Sequence, residues 1–252
     1  MSDQVFDNFM RVVESRRSVR KLKPDPLPEG AIEKILQAGQ WAMSGNNAQP
    51  WEFIVVTDPE IKKALWAAYK RVRLEYNFWM EQMRQRELRH PEYQRDGTPE
   101  QQLAELEKSP GFAEAPALIV LCGDGRKQWA TVMGAFTFGR HMSHLTDGVS
   151  NACQIMQLAA RALGLGSSWV TLQIEDEFKR ILNVPDLVMV YSIMPVGYPY
   201  TEPGAGSRQP LQDIVHYERY DHSKHLSTRQ ILEDLAKSRE RALKRYRATK
   251  GQ

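Results

Sequence analysis

"GVSNACQIMQLAARALGLGSSWVTL" (residues 148–172) changes its periodicity partway along. Up to Leu163 the apolar residues recur at helical spacing. Val149, Cys153, Met156, Ala160 and Leu163 share one face, so the spacing predicts a helix. Gly164 and Gly166 end it, because glycine tolerates the left-handed turn that closes a helix. "SSWVTL" then reads as a strand. Ile155, Leu158 and Ala159 lie off the main stripe, so the helix is apolar almost all round. Such a helix calls for burial on both sides, in a large core or between subunits.

Working outward, strands and helices interleave. "APALIVLCGD" (115–124) is apolar throughout and reads as a central strand. "WEFIVVTD" (51–58) is a β-branched strand stopped by Asp58-Pro59, and "VMVYSIMPVGYP" (188–199) is another, stopped by Gly197 and Pro199. "LQDIVHYERYD" (211–221) is read as a fifth strand. Helices are predicted in "DQVFDNFMRVVESR" (3–16), with Val5, Phe9, Val12 and Val13 as its stripe, and in "LPEGAIEKILQAGQWAM" (27–43). Others are expected over residues 60–89 and in "EDEFKRILNVP" (175–185). "LSTRQILEDLAKSRERALKRY" (226–246) opens on a capping-box pattern, Ser227 to Gln230, and runs as a basic helix. The fold class is therefore α+β with a small sheet. Its connections are too irregular for a doubly wound order, and neither a dinucleotide glycine fingerprint nor a P-loop is present.

The chain has 252 residues, 42% of them hydrophobic, which is enough for one domain with extensions. The net charge of +3 is too small to imply nucleic acid, and no basic sheet interleaved with aromatics is present. No apolar run is long enough to span a bilayer, and no leader is apparent, so a cytoplasmic protein is expected. Cys122 and Cys153 both lie in apolar segments and read as buried free thiols.

Charge is concentrated in "SRRSVRKLKP" (15–24). Arg16, Arg17 and Arg20 offer forked donors and Ser18 a hydroxyl, a set suited to a phosphate monoester. A solvated basic turn is the plainer reading of the same residues. "SGNNAQPW" (44–51) is a loop of amides and a hydroxyl that can bond a heterocycle edge or its own backbone. Trp41 and Trp51 bracket it and are expected in the core. His141, His144 and Asp147 have a spacing like that of metal ligands, but no Glu or Cys nearby completes a set, so no metal is expected.

Taken in order, "RRSVR", "SGNNAQPWEFIVV", the apolar helix ending "GLGSSWVTL", "VGYP" and "SRQPL" resemble the FMN-dependent nitroreductase superfamily over roughly residues 10 to 220. "RRSVR", the Ser44-Gly45 pair and "VSNAC" are similar to its iodotyrosine deiodinase branch, whereas Gln49 before "PW" is the common nitroreductase form. The resemblance implies an α/β/α sandwich around a mixed, mostly antiparallel sheet completed by the partner chain of a homodimer. It implies an FMN-binding domain, placed here over 1–221; the helical excursion at about 66–112 and the basic helical extension over 222–252 are less typical of the family, and nothing is carried over to them. Carried over, Arg16, Arg17, Ser18 and Arg20 would hold the FMN phosphate and ribityl end, with Arg208 joining them. Ser44, Gly45, Asn47 and Gln49 would contact the flavin from the partner chain. Trp169, Val170 and Thr171 would lie beside its ring.

The implied activity is FMN-dependent reduction of a nitroaromatic or quinone-like acceptor by NADH or NADPH, with no catalytic side chain required. Reductive dehalogenation or flavin fragmentation is the alternative within the superfamily. A non-catalytic flavin- or nucleic-acid-binding protein is the alternative outside it. Tyr76 and Trp79 in the excursion are expected to form a substrate lid, because so long a connection between core strands is more often functional than accidental.

Overall fold

The computed structural model describes residues 3–83, 101, 104, 107–127, 141–171, 174–204, 206, 208–237 and 240, with the backbone alone for 71, 73–83 and 141–144. The chain divides into two compact units, residues 1–73 with 104–206 and residues 74–103 with 207–252.

The first unit is built on β2 (Ala117–Asp124), which is buried along its whole length as its unbroken apolar run predicts. It pairs antiparallel with β1 (Trp51–Val56) on one side and β5 (Val188–Gly197) on the other. β3 (Gly166–Ser167) and β4 (Val170–Thr171) both pair antiparallel with β5 in one continuous register. The single strand expected from "SSWVTL" is thus interrupted at Ser168 and Trp169. Parallel pairing enters through one isolated bridge, Ser18 to Ser167.

Successive side chains of a strand face opposite ways, and β2 divides the core accordingly. Ile119 and Leu121 join one apolar cluster with Ile35, Val149, Cys153 and Met156. Leu118, Val120 and Cys122 join the other with Leu65, Phe112, Phe178 and Ile193. Helices α2 (Ala31–Gln40) and α4 (His141–Ala162) therefore cover one face of the sheet. Helices α3 (Pro59–Met83) and α5 (Glu175–Leu182) contribute to the other, which gives the expected sandwich.

Helix α4 ends as read. Gly164 has φ +76°, and the Leu165 N–H donates back to the Ala160 carbonyl at 2.9 Å. Asp124 closes β2. Its N–H donates to the Pro50 carbonyl at 2.7 Å. Its buried carboxylate accepts from the Arg126 backbone N–H, Nε and Nη2 at 2.9, 2.9 and 2.8 Å. The Arg126 side chain's hydrogen bonds hold the Asp124 pKa below the usual carboxylate range. A carboxylate with a lowered folded pKa stabilises the fold above its unfolded pKa, and that stability is lost as pH falls through the folded value. Asp124→Asn is expected to cost about 1–3 kcal/mol at neutral pH, with the gap closing below about pH 4. Denaturant unfolding across pH tests this, and a gap independent of pH refutes it.

Two expectations, for Trp41 and for residues 211–221, differ from the structure, and the first helix meets the rest of the chain over only part of its length. Helix α1 (Asp3–Ser15) forms as predicted, but its stripe is covered only at the C-terminal end, where Val12 and Val13 are half-buried beside α4, while Val5, Phe6 and Phe9 are exposed. Trp41 is 81% exposed whereas Trp51 is buried. Trp41 follows the last turn of α2, beyond the face that meets α4. "LQDIVHYERYD" is not a strand, since Leu211–Ile214 form one short helical turn and none of the described strands pairs with the rest.

That last segment belongs to the second unit, whose described residues are mostly exposed. There the Lys224 ammonium donates to the Gln212 and Val215 carbonyls, both at 2.6 Å. The predicted capping box is present. The Ser227 N–H donates to Gln230 Oε1 at 2.9 Å and the Gln230 N–H to Ser227 Oγ at 3.3 Å, opening a helix over residues 228–237. Among the described residues, no helix is long and apolar enough to cross a membrane.

Candidate functional site

The arginine-serine segment is not a free solvated turn. After α1 it runs beside the sheet. The Val19 N–H donates to the Ser167 carbonyl at 2.8 Å, and the Lys23 N–H to the Tyr198 carbonyl at 2.8 Å. Leu22 is buried and anchors the segment in the core. Gly166 packs tightly under it, since a Cβ there would come within 3.0 Å of both Leu22 and Val19.

This path brings Arg16 and Arg17 onto a small cleft, open to solvent, whose other walls include Gln157 and Arg161 of α4 and Gly166 and Ser167 of β3. Arg16 Nη1 donates to Gln157 Oε1 at 3.2 Å. Arg17 Nη1 donates to the Arg16 carbonyl at 2.7 Å, while Arg17 Nε is buried without a hydrogen-bond partner among the described residues. Gly206 lies against Arg17, and a Cβ there would come within 2.7 Å of Nε. Arg161 donates from Nε to Ser15 Oγ at 3.0 Å and from Nη1 to Glu202 Oε2 at 3.2 Å.

Three guanidiniums thus share one small cleft. Among the described residues, Glu202 is the carboxylate bonded to them, and it is exposed. Closely spaced cations with a buried unpaired N–H are stabilised by an anion that bonds them directly. A phosphate monoester, with its charge spread over three terminal oxygens, fits this donor set.

The remaining candidates are placed elsewhere. Ser18 and Arg20 are exposed and do not line the cleft. The loop from Ser44 to Gln49 sits towards the N-terminal end of α4. There Gly148 makes room for Pro50, with a would-be Cβ at 2.9 Å, and Asn151 Nδ2 donates to the Met43 carbonyl at 3.3 Å. Gly148 is nine residues from Gln157, roughly 14 Å along the helix axis. Within one chain the loop and the cationic cleft are therefore separate.

The loop backbone is unusual. Asn46, Asn47 and Gln49 all have positive φ, at 53°, 51° and 46°. Asparagine tolerates this region but glutamine rarely adopts it, so the conformation is held by its bonds. One of these runs from the Gln49 N–H to Ser44 Oγ at 2.9 Å. The Gln49 side chain donates to the Asn47 carbonyl at 3.4 Å. Asn47 and Gln49 are exposed, while Ser44 and Gly45 are half-buried.

Trp169 precedes β4 and packs on Tyr191, with ring centres 5.4 Å apart. Val170 is half-buried and Thr171 exposed. Arg208 lies in the second unit and is exposed. Tyr76 and Trp79 fall on α3, but their side chains, and residues 84–100 beyond, lie outside the described residues. The same holds for the side chains of His141 and His144, and among the described residues no metal-binding cluster occurs. Burial pushes the Cys122 and Cys153 thiols up to about 12. Both remain protonated near neutrality and are poor nucleophiles.

Reading the sequence passed over Gln157 and Arg161. They stand four residues apart, one turn on the same helix face, and interrupt an otherwise apolar surface. That interruption was the available signal.

The model of the nitroreductase family matches residues 13–198. A putative NADH dehydrogenase/NAD(P)H nitroreductase of Archaeoglobus fulgidus is 26% identical over 201 residues, covering 78% of this chain and 88% of that protein. An iodotyrosine deiodinase of Haliscomenobacter hydrossis is 28% identical over 197 residues, covering 76% and 79%. Among solved structures, oxidised iodotyrosine deiodinase bound to FMN and 3-iodo-L-tyrosine superposes with a TM-score of 0.59 at 25% identity, covering 84% of this chain and 100% of that one. The NADPH:FMN oxidoreductase of Vibrio harveyi shares the fold, with a TM-score of 0.62 at 20% identity over 95% of this chain and 86% of that one.

Proposed function

The chain belongs to the nitroreductase family, and from that premise we propose that it is an FMN-dependent oxidoreductase that uses NADH or NADPH to reduce a small aromatic or quinone-like acceptor. The observation that carries the reading is the cationic cleft with its buried, unpartnered Arg17 Nε. It lies within the family match and has the donor chemistry for the FMN phosphate. The flavin, when bound, supplies the two-electron chemistry, so no side chain need act as acid or base.

The chain's own contribution is placement. Arg16 and Arg17 hold the phosphate end, with Ser18, Arg20 and Arg208 as further candidates for it. Trp169, Val170 and Thr171 border the ring. Ser44, Gly45, Asn47 and Gln49 contact a flavin held by the partner of a homodimer. That loop packs near Gly148 and the chain's own cleft lies at Gln157, roughly 14 Å further along α4, which supports the two-chain arrangement. So do the exposed apolar side chains of α1 and of Trp41 and Met43, which a subunit interface would cover.

Reductive dehalogenation of a halogenated aromatic is the second reading. Iodotyrosine deiodinases stand among the relatives at identities similar to those of the nitroreductase-named proteins. The purified chain is expected to show flavin absorbance and to oxidise NAD(P)H with a nitroaromatic or quinone. Turnover with halophenols and not with nitroaromatics would move the assignment to the second reading. A colourless protein that takes up no FMN would sink both. Sedimentation across a dilution series, with flavin fluorescence read in parallel, is expected to show dissociation and flavin loss together. A monomer that retains FMN would refute the partner-chain role of Ser44 to Gln49.

A further inference from the structure

We propose that Gln157 and Arg161, one turn apart on α4, complete the phosphate end of the cleft. Arg161 is a third cation, shared between the bound anion and Glu202. Gln157 is the positioning residue that fixes the Arg16 guanidinium. The inference rests on the flavin-phosphate reading above and extends it to two residues that the basic motif does not contain.

Gln157 is 3% exposed and neighbours Cys153, Met156 and Ala160 on α4, all three buried in an apolar cluster. A primary amide there is costly unless its polar atoms are bonded, and an aliphatic side chain of similar length would fill the same space. Its carbonyl oxygen accepts from Arg16 Nη1 at 3.2 Å, whereas its amide nitrogen reaches a weak acceptor, Cys153 Sγ, at 3.7 Å. The stronger of its two bonds is therefore spent on a cleft arginine. That bond draws Nη1 toward α4 and leaves the guanidinium's other donors for the cleft.

Arg161 lies in the last turn of α4, where any cation suits the helix dipole. A purely structural arginine there could extend into water. This one is 24% exposed at its side chain, lines the cleft and is held from behind by Ser15, the last residue of α1. Its other contact, Glu202, is 69% exposed and loses little on returning to solvent. A phosphate of charge near −2 is the stronger partner. Glu202 then acts as a competitor that satisfies Arg161 before the anion arrives.

The test uses the full-length chain freed of flavin and measures affinity for FMN and for riboflavin, which lacks the phosphate, by flavin fluorescence. Gln157→Leu and Arg161→Gln are each expected to weaken FMN binding about ten- to a hundredfold, as for loss of one hydrogen bond to a charged group. Riboflavin affinity should stay within about twofold. Glu202→Gln, a surface change that leaves the core untouched, is expected to tighten FMN about two- to fivefold and leave riboflavin unmoved. Because the signal is the FMN-to-riboflavin ratio, general loosening of the fold moves both ligands and not the ratio. An unchanged ratio in Gln157→Leu and Arg161→Gln, or no tightening in Glu202→Gln, overturns the proposal while the flavin reading stands. A wild-type chain that binds riboflavin as tightly as FMN overturns the phosphate assignment and this inference with it.

Discussion

Arg17→Ala will lower FMN affinity ten- to a hundredfold and leave the fold's stability almost unchanged. The two halves of that expectation have one cause. Arg17 Nε is buried in the folded chain with no partner among the described residues, so its hydration has already been lost before any ligand arrives. An anion that reaches it regains a charge-assisted hydrogen bond without a new desolvation cost, a contact of about 1.5–3 kcal/mol. By the same logic, removing the buried, unbonded Nε of this half-buried side chain relieves the empty protein, which offsets the lost bond from Nη1 to the Arg16 carbonyl. Titration of the flavin-free chain with FMN, beside thermal unfolding without flavin, reads both quantities. Unchanged FMN affinity sinks the phosphate role of this segment. A large fall in the melting temperature would mean that Arg17 is a structural residue.

Gly111→Ala is expected to destabilise the first unit by about 3 kcal/mol, from left-handed backbone strain of about 1–2 kcal/mol and overpacking of about 1–3 kcal/mol. Gly111 has φ +53°, a conformation that side-chain-bearing residues rarely adopt. Its Cβ would also land 2.4 Å from Cε2 and Cζ2 of Trp66. That indole cannot swing away. Its Nε1 donates to the Ser109 carbonyl at 2.8 Å, its ring meets Phe112 edge-on at 5.1 Å, and it stacks on Tyr69 at 5.7 Å. For a chain of this size the loss corresponds to a fall of about 6–12 °C in Tm. A variant melting within about 2 °C of the parent would show that the turn relaxes at little cost.

Much of this architecture is local and could be read from the chain directly. The 3.6-residue stripe of α4, its glycine ending, the unbroken apolar run of β2 and the Ser227 to Gln230 capping box are short-range patterns. Each depends on backbone geometry within a turn or two, so each appears in the structure where the sequence places it. The family was legible for the same reason, as an ordered set of short motifs, and the match over residues 13–198 agrees with it.

What the sequence by itself determined is therefore the α+β class, the cores of the main elements and the presence of a concentrated cationic segment. Which cations line the cleft was decided only by tertiary structure. "RRSVR" presents its arginines alike, but pairing of Val19 and Ser18 with Ser167 and burial of Leu22 set the segment's path. Arg16 and Arg17 then reach the cleft while Arg20 stays exposed. Gln157 and Arg161 join them from more than a hundred residues away, and no local pattern encodes that distance. The same holds in reverse for "LQDIVHYERYD". Its β-prone composition suggested a strand, yet a strand exists only when a neighbour supplies its hydrogen bonds, and the sheet's described strands pair without it.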